Sequence, residues 1–309
     1  MKKLILALTM LTMVGCNIQE IVVKTFFTRL VDYFEAQSPR EQLQHIKGPL
    51  YSFYQSFDRN LIVEGKNSLL VIDPFNKNFV RSLKVRLKKK LNKPVDTLIY
   101  SHYHLDHVKG GAALGAKRIL AHRKVNQYWL QLAELGEDQR AEIAPPTRLI
   151  EGDQTLNFSG VEIRLIHLGN GHSDTLYAFY FPQYKVLFAP DMGFVRTIPP
   201  GGLPHMYYPG YAAAMKKLAS INFEIFVPSH FQTGNKQDFL EYRGFLKDLR
   251  AAVVAQVKDR GRPHNHDEAE ALYSALYPQL KKKYGHWHGF DAMILPNLIR
   301  QFTGVYLGY

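Results

Sequence analysis

Ser101-His102-Tyr103-His104-Leu105-Asp106-His107 places three imidazoles and one carboxylate within six consecutive positions. The stretch directly follows an apolar run at residues 95–100, whose composition favours a β-strand. Neutral imidazole nitrogens and carboxylate oxygens bind divalent ions of the zinc type. If the chain stays extended beyond the strand, His102 and His104 point the same way, while Asp106 and His107 can turn toward a second ion. The sequence therefore predicts a metal site at the end of this strand, with room for two ions.

The pattern His-x-His-x-Asp-His is specific. At this chain's histidine and aspartate frequencies it should arise by chance in roughly one chain of this length in a thousand, so a polar loop with incidental histidines is the weaker interpretation. The motif resembles the signature of the metallo-β-lactamase superfamily, and the resemblance covers about residues 51–232. It implies an α/β fold, a four-layered αββα sandwich in which two mixed sheets stack between outer helices, with the site at one sheet edge.

Three later loops extend this resemblance. Gly171-His172-Ser173 is similar to the superfamily's third-histidine loop, and Pro228-Ser229-His230 to its last ligand loop. Asp191 ends a predicted strand where related enzymes carry a carboxylate that bridges two metals. The resemblance thus implies seven ligands: His102, His104 and His172 for one ion, Asp106, His107 and His230 for the other, and Asp191 between them. Asp106 is also the candidate catalytic residue, whereas His167 lies within an apolar strand and is interpreted as structural.

Asp73 follows the run Asn67-Ser68-Leu69-Leu70-Val71-Ile72, which is similar to the strand before the first helix of the superfamily. There the aspartate would support the ligands without binding metal. A plain turn aspartate before Pro74 is an equally good interpretation, so the sequence leaves the role of Asp73 open.

The N-terminus predicts export and a lipid tether. Lys2 and Lys3 precede a short apolar run at residues 4–14, which is too short to span a bilayer and is typical of a secretory signal. Cys16 is the only cysteine in the chain and stands where a bacterial lipoprotein signal places its acylated residue. An ordinary signal peptide or a plain helix is the alternative. We expect a lipid-anchored protein of the bacterial cell envelope, without disulfides or thiolate ligands.

The predicted organisation has four parts: a signal at residues 1–15, a tether or helix at 16–50, the metallo-β-lactamase-fold core at 51–232 and a C-terminal helical extension at 233–309. Within them, helical periodicity is found at residues 18–44, 76–92, 211–219, 236–259 and 268–284. Period-two runs predict strands at residues 51–57, 60–64, 68–72, 154–158, 161–167, 177–181 and 185–188. Residues 196–211 are rich in proline and glycine and form a candidate wall of the substrate pocket.

Composition and charge limit the kinds of partner that are expected for this chain. With 309 residues, 46% hydrophobic and 21% charged, the chain can bury a large core. Its net charge of +12 includes a basic face on the helix predicted at residues 76–92. This face suits anionic lipid head groups or is simply solvated. No aromatic residues interleave with the charges, so nucleic-acid binding is not expected. The expected partner is a small-molecule substrate; the oligomeric state is open.

The resemblance implies a metal-dependent hydrolase. Two Zn²⁺ ions, with iron or manganese as alternatives, would activate a hydroxide that cleaves a small ester, lactone or thioester. β-Lactamase activity is an alternative, although true β-lactamases of the superfamily usually lack the bridging aspartate. Oxidation by a single iron, as in persulfide dioxygenases, phosphodiester cleavage, and an envelope binding protein with a structural metal site also remain open.

Overall fold

Two β-sheets form the centre of the fold. The computed structural model describes residues 41–131, 139–203, 205–260 and 266–308. Within these ranges the first sheet has the strand order β1-β2-β4-β5-β6-β7-β8, with β3 paired to β2. Its strands are β1 (Gln42–Lys47), β2 (Leu50–Gln55), β3 (Asp58–Arg59), β4 (Leu61–Glu64), β5 (Leu69–Ile72), β6 (Val95–Ile99), β7 (Arg118–His122) and β8 (Arg148–Ile150). β5, β6, β7 and β8 are parallel.

The second sheet has the order β14-β13-β12-β11-β10-β9. Its strands are β9 (Gln154–Phe158), β10 (Val161–His167), β11 (Tyr177–Phe181), β12 (Val186–Phe188), β13 (Ile225–Val227) and β14 (Gly234–Asn235). β12 and β13 are parallel, while β10 and β12 both pair antiparallel with β11. The carboxyl ends of β10, β12 and β13 therefore lie at the same edge, the side on which α/β sheets usually bind ligands.

Helices cover the outer faces of both sheets. They are α1 (Lys77–Lys90), α2 (Leu105–Val108), α3 (Gly111–Leu114), α4 (Val125–Gln131), α5 (Tyr208–Ala219), α6 (Lys236–Arg260), α7 (His266–Tyr284) and α8 (Phe290–Tyr306). Short 3₁₀ turns lie at Gln139–Glu142 and Pro200–Gly202.

The alternation of side chains along β5 explains the layering. Leu70 and Ile72 lie in the core between the sheets, where they join Phe179 and Phe188 of the second sheet. Leu69 and Val71 point the other way, into a cluster with the buried face of α1. On the far side, Phe239 of α6 packs edge-on against Phe226 of β13, with ring centroids 5.1 Å apart. Each fully buried side chain of this kind contributes about 1.5–3 kcal/mol. The αββα sandwich and the C-terminal helices are confirmed.

Two predictions about the chain's organisation need correction. The core was predicted to begin at Tyr51 and the segment ending at Gln44 to be helical, but Gln42–Lys47 is a strand paired with β2. Its local pattern is weak, so the hairpin that it forms with β2 decides its conformation. Helix α8 was not delimited within the C-terminal helical extension predicted at residues 233–309, and the structure places it at Phe290–Tyr306 with Pro296 inside it.

The predicted signal, Cys16 and most of the predicted N-terminal helix lie outside the described residues. Among the residues that are described, none of the helices has the length and apolar character needed to cross a membrane.

Helix α8 holds the chain that leads into the candidate pocket. The Asn297 side chain is buried, and its Nδ2 donates to the carbonyls of Pro199 and Met293, each at 2.8 Å. Gly202 approaches so closely that a Cβ there would lie 2.6 Å from the Pro296 carbonyl oxygen. The C-terminal extension therefore fixes the Pro200–Gly202 turn.

Candidate metal centre

The seven side chains singled out in the sequence lie in loops that follow strands of both sheets. His102, His104, Asp106 and His107 come after β6, whereas His172 follows β10, Asp191 follows β12 and His230 follows β13. The structure gathers them into two groups, one of His102, His104, His172 and Asp191, the other of Asp106, His107 and His230. Within each group the potential ligand atoms lie within 4.8 Å of one another.

The carboxylate of Asp191 lies between the two groups and contacts members of both. Oδ2 lies 3.3 Å from both His102 Nε2 and His172 Nε2 and 3.0 Å from His107 Nε2, and Oδ1 lies 3.0 Å from His230 Nε2. A carboxylate placed in this way can hold one ion with each oxygen.

The backbone and neighbours of Asp191 hold this position. Its φ of 53° is in the left-handed region, where aspartate is tolerated better than most residues. The Ser229 hydroxyl donates to Asp191 Oδ1 at 3.0 Å, and the Tyr211 hydroxyl donates to the Asp191 carbonyl at 2.7 Å. The carboxylate is therefore fixed by packing and hydrogen bonds around it.

Asp73 supports the first loop from below. This fully buried residue accepts a hydrogen bond from the Ser101 amide at 2.8 Å and one from the Ser101 hydroxyl at 2.6 Å. His107 Nδ1 lies 2.9 Å from the same Oδ2 that the hydroxyl contacts. With Nδ1–H donating to Asp73, the Nε2 lone pair of His107 faces the centre. Asp73 thus orients a ligand, the first of the two roles that the sequence left open.

Asp58 lies at the outer nitrogen of His230, and the sequence interpretation missed it. Its Oδ1 lies 3.2 Å from His230 Nδ1, and the two residues form an isolated antiparallel bridge. Asp58 belongs to the two-residue strand β3 and carries no local signature. Carboxylates that hold the outer nitrogen of a ligating histidine are common around protein metal sites.

The side chains present fit a metal centre. His102 Nε2 and His107 Nε2 are buried and have no hydrogen-bond partner among the described residues. In the first group, the separations are 3.3 Å from Asp191 Oδ2 to His102 Nε2 and 3.1 Å from His172 Nε2 to His104 Nδ1. Ligands at 2.0–2.1 Å around a tetrahedral ion are separated by about 3.3 Å. A zinc-type ion therefore fits this group.

Charge is distributed unevenly between the groups. Burial, together with neighbouring histidines, lowers the pKa of His104 to about 2 and the pKa of His102 well below its ordinary value. Burial would also lower the pKa of His107 and His230, but the carboxylates outweigh it. Asp191 and Asp106 raise the pKa of His107 well above its ordinary value, and Asp191 and Asp58 raise the pKa of His230 to about 9.

Metal binding by the second group is therefore expected to release protons at pH 7.5, from His230, whose pKa is raised to about 9, and from His107, whose pKa is also raised, because a ligating nitrogen must be deprotonated. Protons compete more strongly with this ion as the pH falls, so its affinity should drop by at least about tenfold per pH unit below 7.5. Calorimetric titration of zinc in two buffers of different ionisation enthalpy measures the number of protons released on binding. Release of no protons would contradict this charge assignment.

A cavity of about 440 Å³ opens beside the first group. It is lined by Tyr103, His104, Leu105, Asp106, Tyr128, Trp129, His172, Leu203 and His205. Leu203 and His205 belong to the segment that the sequence nominated as a pocket wall, and the His205 ring lies 4.8 Å from that of His104. His167 lies outside both groups: its ring stacks on that of His122 at 4.9 Å, and its Nε2 contacts the Asp174 carbonyl oxygen at 2.8 Å.

Comparisons with curated proteins find distant relatives. The chain is 27% identical over 210 residues to the alpha subunit of 2,4-dinitroanisole O-demethylase from Nocardioides sp. (strain JS1661), an alignment that covers 65% of this chain and 61% of that subunit. It is 23% identical over 193 residues to a metallo-beta-lactamase type 2 from Bacillus sp. (strain 170), covering 60% of this chain and 72% of the relative. The chain thus spans about three-fifths of the length of the demethylase subunit.

Solved structures share the fold. A metallo-beta-lactamase from Pontibacter korlensis aligns with a TM-score of 0.57 and 19% identity, over 68% of this chain and all of that chain. A double mutant of the sec-alkyl sulfatase PisA1 aligns with a TM-score of 0.62 and 16% identity, over 87% of this chain and 50% of the sulfatase. The model of the metallo-beta-lactamase superfamily matches residues 60–230, more than half of the chain and the range that holds all seven side chains. This chain belongs to the metallo-beta-lactamase superfamily.

Proposed function

We propose that this protein is a hydrolase that uses two zinc ions, with iron or manganese as alternatives, to cleave a small ester, lactone or thioester. The observation that supports it best is the position of Asp191, whose carboxylate lies within 3.3 Å of histidine nitrogens of both groups. Bound there, a pair of ions would polarise a carbonyl oxygen and make hydroxide available at neutral pH.

The surrounding residues have distinct parts in this proposal. His102, His104 and His172 hold one ion with Asp191, and Asp106, His107 and His230 hold the other. Asp73 and Asp58 fix the rings of His107 and His230 through their outer nitrogens. Asp106 is the exposed member, with 62% of its side chain accessible, and it lines the cavity. Asp106 is therefore the carboxylate placed to exchange a proton with a molecule in the cavity.

A second candidate is cleavage of an aryl methyl ether. It is favoured by the similarity to a subunit named for the O-demethylation of 2,4-dinitroanisole. The chemistry differs in the bond that breaks, since an ether has no carbonyl to polarise. Release of methanol from 2,4-dinitroanisole, without hydrolysis of carboxylic esters, would favour this candidate over the first.

Metal analysis paired with a substrate panel tests the proposal. The purified protein should contain about two zinc ions per chain and should hydrolyse one of phenyl acetate, a γ-lactone, a thioester or a β-lactam under anaerobic conditions. His104→Ala should abolish that turnover. Well under one metal ion per chain, or turnover unchanged in His104→Ala, would overturn the proposal, and turnover that requires oxygen would replace it with oxidation.

A further inference from the structure

The cavity beside the first histidine group has one strongly aromatic wall. Tyr103 and Tyr128 stack in parallel, with ring centroids 3.9 Å apart and planes 10° apart, and Trp129 lies next to them. Leu105 and Leu203 complete the apolar lining. Of the polar side chains that line the cavity, His104, Asp106 and His172 belong to the candidate metal centre. His205 lies beside them, with its ring centroid 4.8 Å from that of His104.

Hydrogen bonds hold this wall in place before any ligand binds. The Trp129 indole N–H donates to the Tyr103 carbonyl at 2.9 Å, and the Tyr128 hydroxyl donates to Asp174 Oδ1 at 2.7 Å. Lys124 holds the other oxygen of Asp174 at 2.9 Å. Helix α4 is therefore tied to two ligand loops, the one that contains Tyr103 and the one that contains His172.

These hydrogen bonds also determine which part of the aromatic wall a ligand can contact. The polar ends of Tyr128 and Trp129 are engaged with the protein, which leaves ring surface as the part available for contact. Burial and the neighbouring Asp174 raise the pKa of Tyr128 to about 12, so the ring stays neutral at physiological pH. A preformed, uncharged aromatic surface favours a flat apolar group, because aromatic pairs gain energy beyond simple area burial.

We propose that this cavity binds the aryl group of the substrate against Tyr103 and Tyr128, so that the bond to be cleaved lies over His104 and His172. The inference deepens the proposed function, on which it rests, by naming an aryl-bearing molecule as the substrate class. A volume of about 440 Å³ is within the range of small-molecule sites. The cavity takes the ring and the metal centre takes the reacting group.

A pair of unreactive probes tests the wall independently of catalysis. Phenyl methyl sulfone and cyclohexyl methyl sulfone carry the same polar group and differ in the flatness of the ring. Isothermal titration of the metal-loaded protein should show the phenyl compound binding about fivefold more tightly, the size of effect that an aromatic pair supplies. Equal affinity of the two sulfones would overturn the proposal without any variant being made.

Tyr128 offers a matched pair of variants outside the ligand loops. Tyr128→Leu removes the ring and should reduce the preference for the phenyl probe to less than twofold, whereas Tyr128→Phe keeps the ring and should retain it. Zinc content and thermal unfolding show that the site and fold are intact. If Tyr128→Leu does not fold, Tyr103→Leu against Tyr103→Phe makes the same comparison. A leucine variant that keeps the full preference contradicts the assignment.

Measurements of turnover show whether the proposed hydrolase function or the proposed aryl site has failed. If phenyl probes are preferred but no ester, lactone or thioester is hydrolysed, the aryl site stands and the proposed function fails. If methyl phenylacetate and methyl cyclohexylacetate, which share the methanol leaving group, are hydrolysed with equal kcat/KM and the sulfones bind equally, the proposed function stands and the aryl site fails.

Discussion

Asp191→Ala is expected to lower kcat/KM for phenyl acetate, or for whichever panel substrate is hydrolysed, by about 10³-fold or more. It should also reduce bound zinc from about two ions per chain to one or fewer. Asp191 is the carboxylate that reaches both groups, and it compensates the charge of His107 and His230. Its removal takes away a ligand oxygen from each ion and the negative charge between them. Metal analysis by mass spectrometry and steady-state kinetics on the same preparation measure both effects.

A surface carboxylate provides the control. Glu224 pairs with Lys47 and Lys185 and is about half exposed, so Glu224→Ala should leave stability, metal content and turnover nearly unchanged. Asp191→Ala that still binds two ions and turns over at the wild-type rate would show that the carboxylate is not part of the centre. If Glu224→Ala also lost metal and turnover, the losses would come from the way the variants were prepared and not from the carboxylate of Asp191.

The elements that the sequence predicted well are those whose patterns are strong and local. The apolar residues of α1 form a stripe on one buried face, and the short apolar runs of β5 and β6 are buried on both faces, so the local pattern identifies each of them. β1 and α8 do not meet that condition. β1 is an edge strand whose conformation depends on pairing with β2, and α8 was not delimited within the predicted C-terminal extension.

The candidate site divides in the same way. Each ligand position lies in a short loop with its own sequence signature, so the seven residues could be nominated before their positions in space were known. Asp58 could not, because its partner His230 lies far along the chain and only the folded sheet brings the two together. The aromatic wall has the same origin, since Tyr128 lies on a helix and meets Tyr103 through tertiary packing. Supporting residues are thus specified by the fold, and ligands by local sequence.

Asp73→Asn is expected to lower zinc affinity by about 10–100-fold, the usual effect of removing the partner of a ligating histidine. Asp73 Oδ2 faces two donors, the Ser101 hydroxyl and His107 Nδ1. An amide nitrogen in that place cannot accept from His107, so the ring would favour the tautomer with its proton on Nε2, the nitrogen that faces the centre. Asparagine is the appropriate replacement, because the φ of 61° at this position is tolerated by asparagine better than by alanine.

Asp238→Asn is the matched control, because it makes the same replacement at a buried carboxylate outside the two ligand groups, one that accepts from the Asn235 amide at 2.9 Å. Its zinc affinity, measured by competition with a fluorescent chelator, should fall less than that of Asp73→Asn. If Asp73 only stabilises the fold, Asp73→Asn should lower the unfolding temperature of the metal-free protein and leave the affinity of the folded fraction unchanged. If Asp73 fixes the tautomer of His107, affinity should fall even at temperatures where the variant is fully folded, because the proton on Nε2 must then be displaced before that nitrogen can bind a metal.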